Sequence, residues 1–166
     1  IPEWDGDTDA LIVWLNKIDS MFVEEPLVAK QFGRIVPRRL TGKAETWYYS
    51  LSLNHRRNIE GSWEELKKEI INFWMNRKWV EKMRKRARET KYRESGHSRE
   101  TPGEYFLRKN LLLANVYELT DAEVISEIMA GAPSSWNTIL NKRSYVDVDE
   151  FQTDISLHED TLAELD

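Results

Sequence analysis

The sequence predicts an all-α fold made of two small helical bundles joined by a short hinge. Three observations carry that reading. Apolar residues recur at spacings of three and four through nearly the whole chain, and no alternating pattern runs longer than four residues. Helix-start signatures of the S/T-x-x-E kind occur at Ser62 with Glu65, Thr101 with Glu104, and Thr120 with Glu123. The composition shifts after Asn76: residues 77–93 hold nine Lys or Arg and two Glu, a local charge of +7 in a chain of net charge −5. Everything else therefore carries −12. The expected division is 1–75, with about four helices, and 76–166, with about five.

Taken in order, Asp7 or Thr8 is expected to start a helix with Leu11, Trp14, Leu15, Ile18 and Phe22 on one face. Pro26 opens a second, which holds Val28, Phe32, Ile35 and Val36 and which Pro37 should end or kink. Beyond Gly42, a third is striped by Ala44, Trp47, Tyr48 and Leu51, and Asn54 to Gly61 reads as a polar loop. Ser62 caps the fourth, with Trp63, Leu66, Ile70, Phe73 and Trp74. In the second part, Trp79, Met83 and Ala87 are spaced by four, which predicts a basic amphipathic helix. Residues 94–99 form a turn. Thr101 then caps a helix whose first turn suits Pro102, and Tyr105, Arg108 and Leu112 share a face. The helix capped by Thr120 ends at Gly131 before Pro133. Trp136, Ile139 and Leu140 mark a short helix, and Asp147 with Glu150 caps a last one carrying Phe151, Ile155 and Leu162.

Composition narrows the function classes. Hydrophobic residues make up 40% of 166, enough for a folded core. Seven Trp, six Tyr and five Phe supply large anchors to lobes with little interior. Cysteine is absent, which excludes disulfides, thiol nucleophiles and cysteine zinc sites and fits a cytoplasmic, intracellular setting. No apolar run approaches the roughly 20 residues of a membrane span, so no membrane partner is expected. A chain that starts at Ile1 reads as a fragment or a processed product. His55, His97 and His158 belong to no metal-ligand pattern, and there is no P-loop, G-x-G-x-x-G or G-x-S-x-G. No catalytic residue, metal site or cofactor is assigned, and the chain is not read as an enzyme.

The most informative stretch holds Gly96, Glu100, Tyr105 and Arg108. An arginine on a mostly apolar face needs a partner, and Glu100, just outside the helix, is a natural one. Alone, this describes a capped helix with an ion pair. The spacing resembles the major homology region of retroviral capsid proteins, with Ser95 where that region usually has glutamine. The rest of the chain extends the likeness. Trp14-Leu15, Ile18 and Phe22, then Leu40, Gly42, Ala44 and Trp47, then Trp63, Leu66, Ile70 or Ile71, and Phe73 or Trp74 resemble the Gag domain of gypsy-class LTR retrotransposons. Gly131, Ala132 and Pro133, followed by Asn137-Thr138-Ile139-Leu140 and an acidic-capped terminal helix, resemble a capsid C-lobe. The resemblance implies a two-lobe capsid protein, from an element or from a host gene derived from one. It would self-associate through both lobes, with a C-lobe dimer, into a shell enclosing the element's RNA. The RNA contact would belong to a nucleocapsid region outside these residues.

Three candidate surfaces follow. Arg84, Lys85, Arg86 and Arg88 on the basic helix are candidates for contact with RNA or another polyanion. The alternatives are a solvated face, or the lining of a pore or inter-subunit contact. Only Trp79 and Tyr92 could stack on bases, at opposite ends of the segment, which weighs toward the solvated face. On the helix after Thr120, Val124 with Ile128 and Ile125 with Met129 lie on adjacent faces. Either one face meets the core and Ile125 and Met129 form a self-association interface, as the resemblance implies, or all four are core. Finally, some gypsy-derived N-lobes hold a peptide groove, so a domesticated adaptor that binds a partner peptide is the alternative to a shell.

Overall fold

The computed structural model describes residues 1–165. They form eleven α-helices and two 3-10 turns, without a strand. By packing they separate into two compact units, Ile1–Trp79 and Val80 onward. No described helix is long and apolar enough to cross a membrane.

In the first unit, α1 (Leu11–Glu24) buries Leu11, Trp14, Leu15 and Ile18. It starts later than expected. The Asp7 carboxylate accepts the Asp9 amide at 2.9 Å, so it closes a preceding turn instead of capping a helix. The single helix expected after Pro26 is three pieces: α2 (Pro26–Ala29), α3 (Phe32–Ile35) and a 3-10 turn (Val36–Arg39). Pro37 explains the last piece, because it lacks an amide hydrogen and cannot continue an α ladder. Inside α3, a Cβ on Gly33 would stand 2.4 Å from the Glu60 carbonyl oxygen, so only glycine lets the two backbones meet. After α4 (Gly42–Ser50), the expected loop is in fact α5 (Leu53–Ile59), capped by Ser52, whose hydroxyl accepts the His55 amide at 3.1 Å. The unit closes with α6 (Trp63–Trp74), where Ser62 accepts the Glu65 amide at 3.2 Å.

A connected chain of indoles runs through the core of this unit, and it starts from a residue absent from the expected core. Trp4 is 3% exposed. Its amide donates to the Arg39 carbonyl at 3.0 Å and its carbonyl accepts from Thr41 at 2.9 Å, an isolated bridge beside Leu40. The Trp4 ring stacks on Trp14 at 5.4 Å and meets the edge of Trp74 at 5.2 Å. Trp63 follows Trp14 and Trp47 follows Trp74, edge-on, at 6.3 and 6.0 Å. Such pairs each contribute roughly 0.5–1.5 kcal/mol beyond their burial. Two bonds hold the strap that brings Trp4 in: Arg39 donates to the Ile1 carbonyl at 2.8 Å, and the Trp14 indole donates to the Pro2 carbonyl at 2.9 Å.

Met75 and Asn76 link α6 to α7 (Arg77–Glu89), whose first turn Asn76 caps by accepting the Trp79 amide at 3.1 Å. The packing division falls between Trp79 and Val80, inside α7, where the sequence reading put it at 75/76. The first turn of α7 groups with the residues before it. The second unit continues with α8 (Pro102–Val116), α9 (Asp121–Ala130), a 3-10 turn (Ser134–Thr138), α10 (Val148–Leu157) and α11 (Glu159–Glu164). Both Thr capping boxes close reciprocally. At the second, the hydrogen bond from the Thr120 amide holds the Glu123 carboxyl below its ordinary range. The expected single terminal helix breaks at His158, whose ring nitrogen lies 3.0 Å from the Asp154 carbonyl. Tyr105, Phe106, Leu113, Ile128, Trp136, Phe151, Ile155 and Leu162 form the core.

Candidate functional site

Residues 90–108 of the second unit build a closed polar network against that core. Glu94 and His97 close a turn, the His97 amide donating to the Glu94 carbonyl at 2.8 Å, with Gly96 inside it at φ +86°. A positive φ at the third turn position is what glycine supplies at least cost. The turn carries the chain to Glu100, 7% exposed, immediately before α8. From α8, Arg108 grips Glu100 with two bonds, Nε to Oε2 at 2.7 Å and Nη2 to Oε1 at 2.9 Å. The same guanidinium donates to Glu94 at 2.6 Å and to the Lys91 carbonyl at 2.9 Å. These bonds, Glu100 first, raise the Arg108 pKa above its ordinary value. A fork against a carboxylate is the geometry that makes such pairs strong.

The sequence reading missed Arg93 in this network. Its backbone sits at φ +54°, a left-handed conformation unusual for a residue with a side chain. Glu100 holds it there: the Arg93 amide donates to Glu100 Oε1 at 3.1 Å, and its Nε donates to the Glu100 carbonyl at 3.0 Å. Strain of this kind persists where surrounding contacts over-determine it.

Lys109, also missed, is fully buried beside the network. Its ammonium donates to the Thr90 carbonyl at 3.0 Å and to the Arg88 carbonyl at 3.4 Å, at and just past the end of α7. A buried cation there satisfies carbonyls that have no helical partner and meets the negative end of the helix dipole. The signal was present in the sequence. Tyr105, Lys109 and Leu113 share the buried register of α8, and a lysine in that register needs an internal partner. Tyr105 completes the layer by donating to the Ile128 carbonyl at 2.5 Å. Gly131 packs over all of it, and the Tyr92 amide donates to its carbonyl at 2.9 Å.

Burial sets the acid-base behaviour of this layer. It pulls the Lys109 pKa down, against the opposing charge of Glu127. It pushes the Tyr105 hydroxyl up, against Arg108. Tyr48 in the first unit and Tyr145 in the second are likewise raised, by burial first and then by hydrogen bonds to Glu60 and Asp154. A tyrosine raised in the fold contributes stability that is present below its unfolded pKa and is lost as pH rises above it. Lysine depression works in the opposite sense, but three tyrosines oppose one lysine. The urea midpoint followed by tryptophan fluorescence is therefore expected to fall as pH rises above about 10, and Tyr105→Phe should flatten that slope. An unchanged midpoint would refute the linkage.

Comparison of the chain with protein-family models, with characterised proteins and with solved structures finds no match. Function therefore rests on this chain's own residues.

The structure divides the four basic candidates. Arg84 and Arg88 both lie over the Tyr117 ring at 5.1 Å, and Arg84 donates to the Val116 carbonyl at 3.1 Å. They clasp the end of α8 and do not form one patch with Lys85 and Arg86. Those two face a groove between α7 and α8. The self-association candidates are corrected more fully. Ile125 and Met129 are 2% and 6% exposed and lie in the core. The reason is that α9 packs on α8, on α10 and on the Ser134–Thr138 turn, so both of its apolar faces are covered. The three histidines each face one carboxylate: His55 with Glu69 at 3.0 Å, His158 with Asp154 at 3.1 Å and His97 with Glu100 at 3.9 Å. Among the described residues no group of three His, Asp or Glu side chains could hold a metal ion.

Proposed function

We propose that this chain is the capsid region of a Gag-type protein, or of a host gene derived from one. In this reading it is a structural protein without catalytic chemistry, which self-associates in the cytoplasm through both units into a shell around RNA. The observation that carries the reading is the closed pairing of Glu100 with Arg108. It occurs at the spacing by which the sequence resembles the capsid major homology region, with Gly96 at the turn. Exposed apolar side chains on both units support association: Leu27 is 90% exposed, Val146 85%, Val23 77% and Leu157 75%. Capsid-type contacts can each be small, because repetition adds avidity. The test is sizing and electron microscopy of the purified chain across concentration and ionic strength. Oligomers or particles that grow with concentration are expected; a monomer at every concentration would overturn the reading.

One observation favours the second reading, a peptide-binding adaptor. The first unit has a cleft of about 410 Å³ lined by Phe22, Pro26, Ala29 and Trp63, with Lys30 and Glu64. Its size and apolar lining suit a short peptide segment. A chain that stays monomeric and binds apolar peptides, with binding lost in Phe22→Asp, would select this reading.

A further inference from the structure

We propose that the groove between α7 and α8 receives the acidic C-terminal helices of a second copy of this chain. The inference rests on the self-association reading and names an interface for it. The groove holds about 650 Å³, with Leu111 and Leu112 on the α8 side and Lys82, Lys85 and Arg86 on the α7 side. Leu107 and Leu111, one helical turn apart, are 57% and 56% exposed and extend the apolar strip along α8. Lys82 and Lys85 make no ion pair among the described residues, so the rim offers uncompensated positive charge.

An apolar strip beside a row of cations fits an acidic amphipathic helix. It fits a nucleic-acid backbone less well. Phosphates gain nothing from exposed leucines, whereas a protein helix can bury them. The chain itself supplies an acidic helical surface that keeps an apolar side chain, Leu157, outside its own core. Residues 146–166 contain eight Asp or Glu and no Lys or Arg. Leu157 is 75% exposed at the end of α10, and Asp160 and Glu164 follow it on the exposed side of α11. Neither carboxylate makes an ion pair among the described residues. Within one chain, α10 and α11 are already seated on α8, while Leu107 and Leu111 stay exposed. The groove is therefore left for the helices of another copy. A groove on one surface and its match on another make a heterologous contact, which propagates into rings or filaments instead of stopping at a dimer.

The experiment is a charge exchange. One variant carries Lys82→Glu with Lys85→Glu; the other carries Asp160→Lys with Glu164→Lys. All four side chains are exposed, so folding should be retained, as circular dichroism will show. At low salt each variant alone is expected to associate about tenfold more weakly than the unaltered chain. An equimolar mixture should recover association, because each altered surface then finds its opposite. If the unaltered chain assembles and both variants assemble equally well, or the mixture does not recover, this interface is wrong while the assembly reading stands. A monomeric unaltered chain would overturn both. Loss of polyuridylate binding in the Lys82/Lys85 variant with unchanged self-association would reassign the groove to nucleic acid and sink the proposal.

Discussion

Arg108→Ala is expected to destabilise the second unit by about 3–5 kcal/mol, the range for removing one partner of a buried ion pair. The loss is large because the substitution leaves Glu100 behind. That carboxylate is 7% exposed and would lose both bonds of the guanidinium fork that neutralises it. Glu94 and the Lys91 carbonyl each lose a donor in the same step. Glu100→Ala should cost a similar amount by a different route, since it removes the carboxylate that binds the Arg93 amide, one of the two bonds that hold its left-handed backbone, and leaves the Arg108 guanidinium without its fork partner. The double substitution should cost clearly less than the two added together, because either one dismantles the same network. Arg108→Lys should recover little, as an ammonium cannot reproduce the two-pronged contact. Urea denaturation of the four variants measures this; a loss below about 1 kcal/mol for Arg108→Ala would mean the pair behaves as an ordinary surface ion pair.

Gly131→Ala is the second large effect, expected at about 2–3 kcal/mol through overpacking. The new methyl carbon would stand 2.4 Å from the Tyr105 hydroxyl, 2.5 Å from the Thr90 carbonyl and 2.8 Å from the Lys109 ammonium. One of these is backbone, and the other two are buried groups held by their own hydrogen bonds. The whole layer must move, and with it the cap on α7. Gly96→Ala is the control. Gly96 has the unfavourable φ of +86° but nothing within 4 Å of a new carbon, so it should show only the backbone penalty of about 1–2 kcal/mol. If Gly131→Ala proved the milder of the two, crowding at the layer would not be the governing effect.

The parts of this fold that were legible in the sequence are those decided over one helical turn. The boxes at Thr101 and Thr120 depend on residues three apart, and both close. The parts that were not legible depend on distant partners. The short helix α3 meets a backbone 27 residues away, at Glu60, through Gly33, which has no side chain to advertise it. The helix α5 buries Ile59 alone, so its periodicity is silent. Arg84 and Arg88 looked like part of a free basic face because Tyr117, which takes them, lies far along the chain. Ile125 and Met129 could be read either way, since spacing shows that a helix has two apolar faces but not what covers each one. At the polar network, the pairing of Glu100 with Arg108 could be guessed from charge and burial. The bonds to the Thr90, Arg88 and Lys91 carbonyls could not, because backbone acceptors leave no trace in residue identity.

The stacked rings of Trp4 and Trp14, 5.4 Å apart, have an optical consequence. Indoles at that separation share their excited state, so the ultraviolet spectrum of the first unit reports on their mutual orientation as well as on their number. Trp4 arrives on the strap that Arg39 and Trp14 hold at the Ile1 and Pro2 carbonyls. Release of that strap would therefore change the dichroic signal, and the molecule carries a built-in gauge of whether Trp4 is docked.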